Sequence, residues 1–234
     1  QGSGVPLIAA DEAPKPAGET AKPKKPDVKC GVIGLGAQGR EVLTALAALP
    51  NAPVVAICDS FEGMLGRAKK LAPNAETYTD YKQLLANKDV KAVIIATPTH
   101  KHREIVEAAF AAGKHVYCES PMANTMEDSR AIALAARKNL RLNFQVGLQK
   151  RADPQHPFAL KYIRADATGN FVKARSQWAK KTSWRRTSAT AEREKELNWR
   201  LYNETSLGLV GELGIHQVDV ISWYLKALPR AVTG

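Results

Sequence analysis

The 234-residue chain is poor in aromatic side chains (6%) and has only three cysteines. Cys30, Cys58 and Cys118 are odd in number and each falls in or at the end of an apolar run, so they read as small buried hydrophobes and not as a disulfide framework. No run of eighteen apolar residues occurs, which excludes a membrane-spanning helix. His100 and His102 share one turn, but no Cys or carboxylate completes a ligand set beside them; they read as helix-start histidines, and no metal is expected. Acidic residues are also scarce relative to basic ones, leaving a formal net charge of +11. The excess is local: residues 161–200 hold eleven Lys or Arg against four Asp or Glu. Without a nucleic-acid-reading motif, this fits a solvated face or a site for an anionic small partner rather than DNA or RNA.

What is present falls into three parts. Residues 1–27 are built from Ala, Pro, Lys, Glu and Gly with four basic and four acidic residues, the composition of a flexible linker. A tail of this kind beginning at Gln1 is what removal of a secretory signal leaves, so an exported, periplasmic protein is the expectation, with a trimmed cytoplasmic chain as the alternative. From Val28 to Gly147, apolar runs alternate with helical patterns, which predicts an α/β fold with a doubly wound parallel sheet. The expected strands end at Ile33, Cys58, Thr79, Ala96, Cys118 and Val146. Expected helices cover 38–49, 62–71, 81–86, 103–112 and a long stretch to Lys138, capped by Asn124 or Thr125, with Asp80 capping the third. Residues 148–234 then read as the opening of a second, α+β domain. A helix is predicted over 154–164, an alternating strand over 170–178, a basic tryptophan-bearing loop over 179–200 and a helix over 213–228. A lone strand cannot stand by itself, so most of that domain's sheet is expected to be missing from this sequence.

The chemistry starts at Cys30-Gly31-Val32-Ile33-Gly34-Leu35-Gly36-Ala37-Gln38-Gly39-Arg40. A strand empties into three glycines and then a helix, the arrangement in which backbone N–H groups hold a pyrophosphate. Gly34 allows the sharp turn, Gly36 lets the phosphates approach, Gly39 lets helix and strand pack closely, and Ala37 and Gln38 supply the first helical amides. Asp59 ends the next apolar run twenty residues beyond Gly39, where a carboxylate accepts hydrogen bonds from the adenosine ribose. NAD is the expected cofactor, since Asp59 repels a 2′-phosphate. Ser60, with Arg67 one helix further on, leaves NADP possible.

Taken in order, these motifs resemble those of the glucose–fructose oxidoreductase / inositol dehydrogenase (Gfo/Idh/MocA) oxidoreductases. Thr97-Pro98 with His102 is similar to the family's Thr-Pro-x-x-x-His, and Gly113-Lys114-His115-Val116-Tyr117-Cys118-Glu119-Ser120-Pro121 to its Gly-Lys-His-Val-x-x-Glu-Lys-Pro block. Trp199-Arg200 resembles a Trp-Arg element before the substrate site, and Glu212-Leu213-Gly214-Ile215-His216-Gln217-Val218-Asp219 the Asp-x-Gly-x-His-x-x-Asp helix start. The resemblance implies a Rossmann domain followed by an open-sheet domain that serves as the usual dimer surface, with sugars or polyols bound between them. It also implies a cofactor site that adds Thr97, Pro98, His102, Glu119 and Gln149 to the glycine turn, Asp59 and Ser60, and a cis bond before Pro121. His216 is the expected acid/base, oriented by Glu212. Ser120 stands where the family has lysine and retains a hydrogen-bonding group without its charge, and Glu212 stands where it has aspartate. Gln149 and Arg151 fit either a cleft wall or a plain hinge.

Three functions follow as expectations. The first is a nicotinamide-dependent oxidoreductase acting on a sugar, polyol or glycoside hydroxyl, assembled as a homo-oligomer if the second domain is complete. The second is an NAD-dependent enzyme that cleaves glycosides by oxidation and elimination. The third is a nucleotide-binding relative that has lost its chemistry with the lysine. The basic segment from Lys173 to Arg186, with Trp178 and Trp184, fits an acidic sugar or a solvated loop equally well.

Overall fold

The computed structural model describes residues 27–179, 183–188 and 190–233. The tail expected over residues 1–27, save Asp27, and positions 180–182 of the basic segment lie outside the described residues.

Six parallel strands form one sheet in the order β3-β2-β1-β4-β5-β6: β1 Cys30–Ile33, β2 Val54–Cys58, β3 Glu76–Tyr78, β4 Ala92–Ile95, β5 His115–Glu119 and β6 Phe144–Gly147. β1 lies between β2 and β4, with Ile33 level with both Cys58 and Ile95. Successive residues of a strand face opposite sides, and the core divides accordingly. Val32, Ile57 and Ile94 join Leu35, Leu43 and Leu65 on one face; Ile33, Cys58, Val93 and Ile95 join Leu84, Val106, Phe110 and Ile132 on the other. Both faces are therefore covered, which explains the near-continuous apolar strands.

The crossover helices are α1 Ala37–Ala47, α2 Glu62–Lys69, α3 Tyr81–Ala86, α4 His102–Ala111 and α5 Met126–Lys138. α3 starts where Asp80 accepts from the Lys82 N–H, and α5 where Thr125, not Asn124, accepts from the Asp128 N–H at 3.0 Å. Crossovers of this kind bring all strand C-terminal ends to one edge, the edge at which α/β sheets bind ligands. A single turn of 3-10 helix, Thr99–Lys101, joins β4 to α4.

Beyond β6 a 3-10 turn, Gln149–Arg151, leads into α6 Gln155–Arg164. The strand expected over 170–178 is absent. Its residues form no ladder, and Val172 is almost fully exposed, because alternation alone makes no strand without a partner edge. Part of the expected loop is instead helix α7, Ala191–Leu197, started by Thr190, whose side chain accepts from the Arg193 N–H. The helix expected over 213–228 is two: α8 Gly208–Glu212 and α9 Gly214–Leu225, broken at Leu213 and closed by left-handed Lys226. Among the described residues no helix is long and apolar enough to cross a membrane.

Candidate functional site at the sheet edge

Gly34 has φ +90°, and a Cβ there would lie 2.7 Å from the Ala96 backbone, so the turn after β1 needs glycine. At Gly39 a Cβ would fall 1.9 Å from the Gly34 carbonyl oxygen, because α1 crosses directly over the turn. Gly36 differs: a Cβ would meet nothing within 4 Å. Its missing side chain leaves open space above the turn, which a phosphate group fits. The start of α1 agrees, with no side-chain cap and no acidic residue in its first turn. Its N–H groups are thus available to an anion.

Asp59 closes the other side of this corner. One carboxylate oxygen accepts from the Leu35 N–H at 2.8 Å and the other from the Phe61 N–H at 2.9 Å. The carboxylate thereby ties the glycine turn to the end of β2 while keeping lone pairs for a ribose hydroxyl. Ser60 is exposed beside it. Over Phe61 lies the Arg193 guanidinium of α7, 4.1 Å from the ring centroid, so the second segment reaches the adenosine end of the edge.

On the opposite flank, Gln38 at the start of α1 donates to Glu119 at the end of β5 at 3.0 Å. Burial raises the Glu119 pKa, opposed mainly by this bond. Its space exists because residue 147 is glycine: a Cβ there would lie 2.6 Å from Glu119 Oε2 and 2.7 Å from the Tyr117 hydroxyl. The Ser120–Pro121 bond is cis. The Ser120 hydroxyl donates to the Gly147 carbonyl at 3.1 Å, so a ligand meets its lone pairs and not its proton.

Two of the expected roles change. His102 is 1% exposed, and its ring nitrogens lie 2.9 Å from the Pro121 carbonyl and 3.0 Å from the Thr97 carbonyl. It clasps the ends of β4 and β5 from inside the protein and presents no open ring edge to a ligand. Glu212 does not orient His216, because the break at Leu213 puts them on separate helices. Its buried carboxylate instead accepts from Thr99 Oγ1 at 3.1 Å and Ser206 Oγ at 3.0 Å and lies 3.6 Å from Arg200. Burial raises its pKa, against these three partners. It pins α8 to the end of β4.

His216, in the first turn of α9, has a buried Nδ1 without a partner among the described residues. Burial lowers its pKa and Lys150 adds to this, while Asp219 opposes it, so the ring is neutral at neutral pH and ready to accept a proton. Trp178 flanks it, ring centroids 5.9 Å apart. α9 is held in place by Arg151, which donates to both Asp219 oxygens at 2.7–3.1 Å; Gln149, two residues earlier, is exposed on the same turn. Thr97 Oγ1, after β4, is likewise buried and unpartnered among the described residues, and Pro98 follows it. Sequence reasoning read His100 only as a helix-start histidine and did not anticipate that Glu212 would pair with Arg200 and reach Thr99 across 113 positions. Contacts between residues so far apart leave no local pattern.

A doubly wound parallel sheet with a glycine turn, an unsatisfied helix start and a carboxylate on the neighbouring strand defines a dinucleotide-binding Rossmann domain. The sequence matches the family model for Gfo/Idh/MocA proteins, described as "Oxidoreductase family, NAD-binding Rossmann fold", over residues 28–148, and the chain belongs to this family. It is 30% identical over 201 residues to inositol 2-dehydrogenase of Salmonella typhimurium, covering 85% of this chain and 55% of that protein. It is 29% identical to levoglucosan dehydrogenase of Pseudarthrobacter phenanthrenivorans, covering 83% and 50%. Scyllo-inositol dehydrogenase from Lactobacillus casei, solved with NAD(H) and scyllo-inositol, superposes with a TM-score of 0.68 at 25% identity, over 85% of this chain and 56% of that one. The chain thus spans about half the length of the curated relatives it matches.

Proposed function

We propose that this chain is the cofactor-binding part and the start of the substrate-binding part of an NAD-dependent dehydrogenase that oxidises a secondary hydroxyl of a cyclitol, sugar or related polyol. One observation carries the reading: a neutral histidine, His216, has an unpartnered buried nitrogen on the helix that packs at the same sheet edge as the glycine corner. The α1 amides from Ala37 and Gln38 with Gly34 and Gly36 would hold the pyrophosphate, Asp59 the adenosine ribose, and Glu119, with Thr97 and Pro98, the nicotinamide half. When bound, the nicotinamide supplies the hydride acceptor. The chain's own part is to take the alcohol proton on His216 as the carbonyl forms, with Trp178 packed beside the ring. Ser120 offers a lone pair to a neighbouring hydroxyl. Acidic relatives of these sugars fit the basic residues around Trp184. Exposed apolar side chains of the second segment, Leu209, Val210 and Val218, support assembly with a second copy.

The test is substrate-dependent appearance of reduced-nicotinamide absorbance. His216→Ala should lower kcat by roughly 10²–10⁴-fold, the usual weight of a general base. Because the base form is required and the His216 pKa is lowered, the wild-type rate should fall only as pH drops below about 6.5, the ordinary histidine value. A rate that instead falls on the alkaline side of neutrality would reject His216 as the base. NAD retained through turnover with no net reduction would favour glycoside cleavage by oxidation and elimination.

A further inference from the structure

Arg151 reads from the sequence as a cleft wall or a hinge, and its contacts give it a more specific place. Its Nε donates to both oxygens of Asp219, at 2.9 and 3.1 Å, and its Nη2 donates to one of them at 2.7 Å. The same guanidinium lies 5.3 Å from the Trp223 ring centroid. Both partners belong to α9, the helix that carries His216. The Asp219 side chain is only 10% exposed, so water screens its charge poorly, and a two-point grip from an arginine is the strongest form of ion pair it can make. Asp219 also stands three residues after His216 on that helix, a spacing at which side chains are neighbours. The carboxylate held by Arg151 is therefore the charge closest along the helix to the imidazole.

We propose that Arg151 is a positioning residue for His216: by gripping and neutralising the Asp219 carboxylate, it fixes α9 and keeps the imidazole beside that carboxylate in the form that can accept a proton. A bare carboxylate at this distance would favour the imidazolium, which cannot take a proton from an alcohol. Among the described residues, the charged groups around the ring leave this task to Arg151. On α9 itself Asp219 favours the imidazolium, and from the 3-10 turn after β6 Lys150 opposes it. Lys150 is also 3.5 Å from Asp153, so its charge is shared. Trp178, which flanks the ring, carries no charge. Glu212 of α8 is engaged by Thr99, Ser206 and Arg200. His156 and Arg164 of α6 meet the Tyr224 hydroxyl and the Trp223 carbonyl, two turns further along α9. A lysine at position 151 would supply the charge without the two-point grip.

This inference rests on the dehydrogenase reading for the use made of His216, and its test separates the two. In the full chain carrying isotope-labelled histidine, without cofactor, the His216 ring resonance is followed across pH, assigned by its loss in His216→Gln. Arg151→Gln and Asp219→Asn break the same ion pair, so a purely structural role predicts that both disturb His216 in the same way. A charge-setting role predicts opposite movements. The titration midpoint should rise by about one pH unit in Arg151→Gln, where Asp219 is left uncompensated, and should fall in Asp219→Asn. Arg151→Lys, which keeps the charge, should leave the midpoint near that of the wild type. In turnover with NAD and myo-inositol, scyllo-inositol or levoglucosan, the acid limb of kcat/KM should follow each midpoint. Midpoints that move in the same direction, or not at all, overturn the proposal. Opposite shifts in a protein that reduces no NAD uphold the role of Arg151 and sink the dehydrogenase. NAD reduction with unmoved midpoints does the reverse, and neither result overturns both. If Arg151→Gln fails to fold, a fall in Asp219→Asn with Arg151→Lys unmoved upholds the proposal, and any other pair of results overturns it.

Discussion

Residues 28–147 and residues 148–233 are held by different forces. In the first region the buried set is nearly all aliphatic, layered on two faces of one sheet. In the second, the buried side chains among the described residues are Leu160 and Trp199 with Asn198, Ser206 and Glu212, and the attachments to the first region include Glu212 to Thr99, the Asn124 amide to the Glu204 carbonyl, and the Arg193 cation on Phe61. Apolar layers are additive in area and insensitive to geometry, whereas buried polar pins are worth little unless every partner is present. The first region should therefore melt as a block, and the second should come loose one pin at a time.

The tryptophans make this comparison measurable, since all four, Trp178, Trp184, Trp199 and Trp223, lie in the second region. Tryptophan fluorescence then follows the second region, while far-ultraviolet dichroism is dominated by the first. The largest effect is expected from Ile95→Ala, which opens a cavity in the central strand and should cost roughly 2–5 kcal/mol, shifting the dichroism transition in urea. If only the fluorescence transition moves, the division into two kinds of region is wrong. A smaller effect is expected from Glu212→Ala, about 1–3 kcal/mol, because Thr99, Ser206 and Arg200 lose their shared partner. Fluorescence should then change at lower urea than dichroism; coincident shifts would mean that the two regions unfold together. The least costly change is Arg193→Ala, about 0.5–1 kcal/mol for a stacked cation, visible in fluorescence alone.

The same contrast explains what could be read in advance. The Rossmann region was legible because its information is local: each apolar run, glycine and cap acts within a few residues, and boundaries fell within one or two positions, as at β6, found over 144–147 and expected over 142–146. The glycine corner with Asp59 was legible for the same reason, having fixed spacing. Helix α7 was not, because Glu192, Glu194 and Glu196 break any apolar stripe; its signal is the Thr190 cap. Alternation in 170–178 imitated a strand because a sequence carries no mark of whether a ladder partner is present. The resemblance of Glu212–Asp219 to one helix start put Glu212 beside His216, and only backbone geometry at Leu213 separates them. His102 likewise wore the look of a ligand-facing residue until burial turned it inward.

Gly147 carries a consequence beyond its own strand. No ligand needs to touch it, yet any side chain there would collide with Glu119 and Tyr117 from behind. Substitution at this point would displace Glu119 and Tyr117 at one remove, while leaving every residue proposed to meet the cofactor chemically intact. Constraint on such a position is invisible to a survey of binding residues, and an engineer retuning this protein's cofactor grip would do well to treat the backs of the proposed contact residues as part of the site.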